Sequence, residues 1–226
     1  MTDDKRRNPV LASLSVLLVL ALSSLPFLQL APNRLVSGQA LYFFSIIHGS
    51  AFLLLLMFVL LTVFTVVAMF KPRAARLWAV LTVAAMCMPT LLWLAASQAS
   101  ISLQGELPIA RASFGSAFWV ALVLLGLMVI SAVQQLRLAP LQTAAVCAAL
   151  LLVSGGLLAS GACEDLSLMK EYANRADGFV AVVARHVQIV LLALAFTLAI
   201  GLPLGWAVHT QEIGRASCRE RVYSSV

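Results

Sequence analysis

From Val10 to Val208 the chain alternates long apolar runs with short polar joins. A spanning helix needs about 20 apolar residues, because each residue adds ~1.5 Å across a hydrocarbon layer of ~30 Å. Six runs reach that length: Val10–Leu30, Ile46–Phe70, Leu77–Ala96, Ser116–Leu136, Leu141–Ala162 and Val187–Val208. The fourth and fifth are separated only by QQLRLAPLQ, where Arg137 and Pro140 interrupt the apolar text. The pattern predicts an all-α protein, a polytopic transmembrane bundle of about six spanning helices. The first run continues beyond the ~7–15 residues of a signal-peptide core, and no A-x-A cleavage site follows it, so it reads as an uncleaved span.

Composition agrees with this reading. Of the 226 residues 62% are hydrophobic and 11% charged, against about 25% charged in a soluble domain. The net charge of +6 is explained by orientation in the bilayer, and no nucleic-acid role is expected. Lys5, Arg6, Arg7, Lys71, Arg73, Arg76 and Arg137 fall on one side of the runs, and Arg34 and Arg111 on the other. The positive-inside rule then puts the N-terminus in the cytoplasm. Trp78 and Trp119 lie near predicted interfaces, where amphipathic rings are favoured. Cys87, Cys147, Cys163 and Cys218 make no ligand or disulfide spacing.

Little in the runs suggests chemistry. They carry no Asp, Glu, Lys or Arg away from their ends, and such a residue is the usual mark of an ion path. His48, His186 and His209 sit at run ends, where interfacial roles suffice. No catalytic residue, metal site or cofactor site is expected. Small residues are more informative. SGGLLASG sets Gly156 and Ser160 on one face, and Gly201 and Gly205 form a G-x-x-x-G that lets helices approach closely. Pro203 between them predicts a kink, so Gly201, Pro203 and Gly205 are candidate kink and packing positions.

The longest polar join, Cys163–His186, contains EDLSLMKEYANRADGF. Glu164 and Asp165 suit a helix N-terminus, Glu171 and Arg175 are spaced to pair on one face, and Leu166, Met169 and Tyr172 recur at helical spacing. Tyr172 and Phe179 are aromatic faces on which a cationic ligand can stack. A connecting helix and a partner-binding surface both fit this segment. The candidate partner-facing residues are Lys170, Glu171, Tyr172, Asn174 and Arg175.

Several strings resemble one family. NPVLA, APNRLVSG, IARASFGSAFW (Ile109–Trp119) and DLSLMKEYANR are similar to the Yeh-type glycine betaine permeases of bacterial osmoprotectant ABC importers. HVQIVLLALAFTLAIGLPLG resembles the opening helix of the binding-protein-dependent permease core, with Gly201, Pro203, Leu204 and Gly205 at its end. The resemblance implies a multi-pass subunit of the bacterial inner membrane. It also implies an ATP-binding subunit, a periplasmic substrate-binding protein and a second permease subunit as partners, besides the lipid bilayer. Under it, residues 1–162 form an N-terminal region of five helices and 163–186 a periplasmic join; 187–211 form the first core helix. The cytoplasmic coupling loop of such a core is not in the sequence, so the chain is expected to be an N-terminal fragment, inactive alone. The other class consistent with the residues is a non-transport polytopic protein, either a membrane-embedded enzyme or a sensory or assembly domain.

Residues 212–226 break the pattern. EIGRASCRERV (Glu212–Val222) resembles a one-frame translation of sequencing-adapter DNA. The tail is therefore expected to be artefactual, and Arg215, Cys218, Arg219 and Arg221 are assigned no role.

Overall fold

The computed structural model describes residues 9–33, 36, 38–46, 51–70, 74–107 and 109–223, with side chains described up to residue 210 except at 51, 53, 54 and 69. Lys5, Arg6, Arg7, Arg34, His48, Lys71, Arg73 and the tail side chains lie outside the described residues. The chain divides into two units, Met1–Glu171 and Tyr172–Val226.

Among the described residues of the first unit, five helices and three short strands follow one another. They are α1 (Val10–Ser24), β1 (Pro26–Ala31), β2 (Gln39–Tyr42), α2 (Ala51–Phe70), α3 (Ala74–Ser102), β3 (Arg111–Phe114), α4 (Ser116–Leu136) and α5 (Pro140–Ala159), with a 3-10 turn at Phe43–Ile46. A sixth helix, α6, runs from Ser167 to Tyr223. Helices α3, α4, α5 and the Ser167–Thr210 part of α6 are long and apolar enough to cross a membrane. Helix α1 and the apolar stretch Leu55–Ala68 of α2 are shorter. The architecture is an all-α polytopic bundle that carries a small sheet.

That sheet corrects the reading of the first run. Val10–Leu30 is not one helix: α1 stops at Ser24 and Pro26 begins β1. Proline lacks the backbone N–H a helix needs and disfavours the α conformation in the residue before it. Leu25 accordingly adopts extended backbone (φ −104°, ψ 151°). The fourth run is reproduced with its bounds unchanged as α4. The tight join after it closes on Arg137, in the left-handed region at φ 51°, and Pro140 starts the next helix at a position where its missing N–H costs nothing. The sixth expected span is the middle of a much longer helix: the 57 residues of α6 extend roughly 85 Å, and the helix continues through Pro203.

The core of the first unit forms where α3 packs on α2 and α4, and α1 packs on α4. Small residues allow this closeness: Ala84, Ala95, Ala117, Ala121 and Ala132 are fully buried beside Leu91, Leu94, Leu125 and Met128. In lipid there is no hydrophobic drive between helices, so such contact is held by dispersion and occasional hydrogen bonds. One bond of that kind joins α1 to α2, where the buried Ser15 and Thr65 hydroxyl oxygens lie 2.7 Å apart.

Candidate functional site

The joins from α1 to α2, from α3 to α4 and from α5 to α6 meet at one end of the first unit and build a cap there. Strand β1 is central, antiparallel to both β2 and β3. Gln29 faces Ala40 on one side and Ser113 on the other, and Ala31 faces Arg111. Beyond β3, Leu166 forms an isolated parallel bridge to Ala112. Thus Pro26–Ala31, Gln39–Tyr42, Arg111–Phe114 and Leu166, each within or adjoining a string singled out from the sequence, come together in one sheet and its flank.

Two local devices fix the cap. Gly115 donates its N–H to the Phe27 carbonyl (2.8 Å), and a Cβ at that position would lie 2.1 Å from the Pro26 carbonyl oxygen. Only glycine permits this approach of α4's first turn to β1. Beneath the sheet, Phe27 makes edge contacts with Phe43 and Phe118, while Phe114 stacks on Phe118 at 4.0 Å between centroids. Rings in such arrangements gain about 0.5–1.5 kcal/mol beyond the area they bury.

The turn after α5 is tied down by a second small core. Cys163 and Leu166 are buried against Ala96, Ala99 and Ala112, and Met169 packs at its edge. Gly161, at φ 81°, allows the reversal that brings them there. Burial pushes the Cys163 thiol above its ordinary pKa, since a thiolate there would lose its hydration. The Leu166 and Met169 spacing read from the sequence is therefore a packing stripe, and α6 begins one residue after Leu166.

Charges gather at the rim. Arg111 Nη1 donates to Glu171 Oε1 across 60 residues of sequence, with both side chains partly buried. Lys170 Nζ lies 3.8 Å from Asp165 Oδ1. The structure thus brings Lys170 and Glu171 together with Arg111 and Asp165. Sequence reasoning missed Arg111 as the partner of Glu171. Its signal was a lone arginine in the short polar join before α4. A nearby hollow of about 170 Å³ is lined by Gln39, Ser102 and Glu106 among others.

The remaining candidates lie in the second unit. Tyr172 and Phe179 meet edge to face at 5.2 Å, so each ring is engaged by the other. Asn174 and Arg175 are exposed on the same helix. Gly201, Pro203 and Gly205 are exposed as well, and a Cβ added at Gly201 or Gly205 would meet nothing within 4 Å. Among the described residues no group of three or more His, Cys, Asp or Glu could hold a metal ion.

Apolar helices joined under a charged cap define a multi-pass membrane domain. Residues 5–169 match the family model described as "ABC transporter permease YehY, N-terminal domain", and the chain belongs to that family. It is a membrane permease subunit of an ABC transporter and not an enzyme, and permeases of this class work with an ATP-binding subunit. No match was found among curated proteins or among solved structures. The matched segment ends at residue 169, two residues before the first unit ends at Glu171.

Proposed function

We propose that the chain is part of the permease of a bacterial inner-membrane ABC importer for glycine betaine or a related osmoprotectant. In this reading the cap faces the periplasm and receives a substrate-binding protein. A second permease subunit completes the membrane path, and ATP is hydrolysed on a separate subunit. The complete permease acts as a passive gated path, with alternating access arising from rigid-body movement of helices about a central site. The observation that carries the docking reading is the convergence of three joins on one sheet, with Arg111, Asp165, Lys170 and Glu171 at its rim. The substrate reading is supported by the strings APNRLVSG, IARASFGSAFW and DLSLMKEYANR, which resemble glycine betaine permeases. The excess of basic residues on the side away from the cap supports the orientation.

The test uses the full-length gene, its binding protein and its ATPase in cells lacking other betaine uptake. Labelled glycine betaine should accumulate, and replacing Lys170, Glu171 and Arg175 together by alanine should weaken binding-protein affinity about tenfold, chiefly through slower association. Unchanged affinity and uptake in that triple variant would remove the docking reading, with Arg111→Gln as the control for simple loss of the ion pair. Absence of betaine uptake by the intact system would remove the substrate reading.

We further propose that the 226-residue chain does not transport by itself. The family match is to an N-terminal domain, and every residue from Tyr172 to Thr210 is exposed, so that helix has no described neighbour within its unit to line a path. Betaine flux through this polypeptide alone, reconstituted in vesicles, would contradict that.

A further inference from the structure

We propose that the hollow in the cap is a binding site for a small primary ammonium compound, a cation that carries N–H donors on a short apolar body. The hollow of about 170 Å³ lies where four separate segments meet. They are the end of β1 (Leu30, Ala31), the start of β2 (Gln39), the end of α3 with the loop after it (Ser102, Glu106), and Ala110 just before β3. The sheet register pairs Leu30 with Gln39 on one side and with Ala112 on the other, so the hollow is built into the fold. Sites for drug-sized ligands hold about 300–1,000 Å³, and this one therefore suits a ligand of only a few non-hydrogen atoms. Leu30, Pro32 and Leu103 give it apolar wall for a short hydrocarbon body.

Electrostatics set the sign of the ligand. Helix α3 ends at Ser102, so the negative end of its dipole and its last carbonyls meet the hollow. Glu106 adds a full negative charge there, in place of the cation that usually complements a helix C-terminus. Nearby backbone donors are spent in turns: the N–H groups of Leu103, Glu106 and Ala110 donate to the Ala99, Leu103 and Leu107 carbonyls at 3.0, 3.1 and 2.8 Å. What remains is chiefly acceptors and negative potential, so the ligand must bring donors and positive charge. Among the described residues Arg111 is paired with Glu171 and Lys170 with Asp165, and Glu106 makes no ion pair. A quaternary ammonium fits poorly, because it has no N–H to give and no aromatic ring lines the hollow to receive it. The site is thus distinct from any betaine path and does not depend on the substrate reading above.

The test is ligand-observed saturation-transfer NMR on the full chain in neutral detergent, with n-propylammonium and tetramethylammonium chlorides as probes. Propylammonium should bind at least about tenfold more tightly than tetramethylammonium, the difference expected from hydrogen bonds to a charged acceptor. Glu106→Gln should weaken propylammonium at least about tenfold, and Ser102→Leu, which fills the hollow, should weaken it as well. Glu164→Gln, an exposed acid elsewhere in the cap, should leave the affinity within about twofold. Unchanged circular dichroism and melting of the variants show that the fold is kept. No saturable binding of propylammonium would overturn the proposal, as would equal affinity for the two probes. Undiminished binding in Glu106→Gln, or equal weakening in Glu164→Gln, would overturn it in favour of diffuse surface charge. Much tighter binding of Nα-acetyl-lysine amide than of propylammonium would overturn the free ligand in favour of a partner's side chain.

Discussion

Helix α4 and the Val187–Val208 stretch of α6 are alike in length and apolar content, yet within their own units one is packed on a side and the other is not. Helix α4 buries eight of its 21 residues on one stripe that includes Ala117, Ala121, Leu125, Met128 and Ala132. The described side chains from Tyr172 to Thr210 are all exposed. Hydropathy does not separate these helices, because lipid and a neighbouring helix are similarly apolar environments. Small residues facing small residues do, since they let backbones approach closely enough for dispersion to act. Gly201 and Gly205 have the spacing for such contact without a neighbour in their unit.

The largest expected effect that would sharpen this comparison comes from two glycines. Gly115→Ala should destabilise the protein by roughly 3 kcal/mol or more, because its Cβ meets the Pro26 carbonyl backbone at an impossible distance. Gly201→Ala should be neutral or stabilise α6 by up to about 1 kcal/mol through helix propensity. Unfolding in detergent, followed by helical circular dichroism, reads both, and similar costs at the two sites would break the distinction between packed and open helices.

Next in size is the pair at the cap. Arg111→Ala or Glu171→Ala should cost about 1–2 kcal/mol each, and the double variant should show a coupling near 1 kcal/mol. Strict additivity would mean that the partly buried pair contributes nothing beyond its separate side chains. Ser15→Ala and Thr65→Val should each cost only about 0.6 kcal/mol, the usual worth of an interhelical hydroxyl bond in lipid. The smallest effect is alkaline. Cys163 has a folded pKa raised by burial above its ordinary 9.0, so its contribution is fully present below pH 9 and is lost as pH rises through the raised value. Cys163→Ala should flatten the alkaline limb of the stability profile, and an unchanged limb would assign it to another group.

Length and apolarity made the helices legible in the sequence, and α4 is the clearest case. The three strands were not legible. Pro26–Ala31 is six residues long and apolar enough to extend the preceding run, and its alternation FLQL is too short to compete with a helical reading. Pro26 was the available sign. Arg111–Phe114 is shorter still, and its pairing with β1 joins residues 80 to 86 apart, which no local pattern encodes. For the site, the helical spacing of Leu166, Met169 and Tyr172 fitted either the bilayer surface or the bundle; Leu166 and Met169 pack against the bundle and Tyr172 is exposed. The Arg111–Glu171 pair was invisible because each residue has nearer charged neighbours in sequence. The hollow beside Gln39, Ser102 and Glu106 needs separate segments to meet, which apolar runs do not specify.

The sheet has one more consequence. Strand β1 leaves α1, β2 continues into the 3-10 turn Phe43–Ile46, and β3 runs into α4. Helices α1 and α4 therefore take their height from a common ladder of backbone hydrogen bonds. Moving one strand by a single residue would raise or lower its helix by about 3.4 Å and turn its side chains to the opposite face. The cap thus works as a depth gauge, converting pairing among the 14 residues of three short strands into the vertical alignment of the helices joined to them.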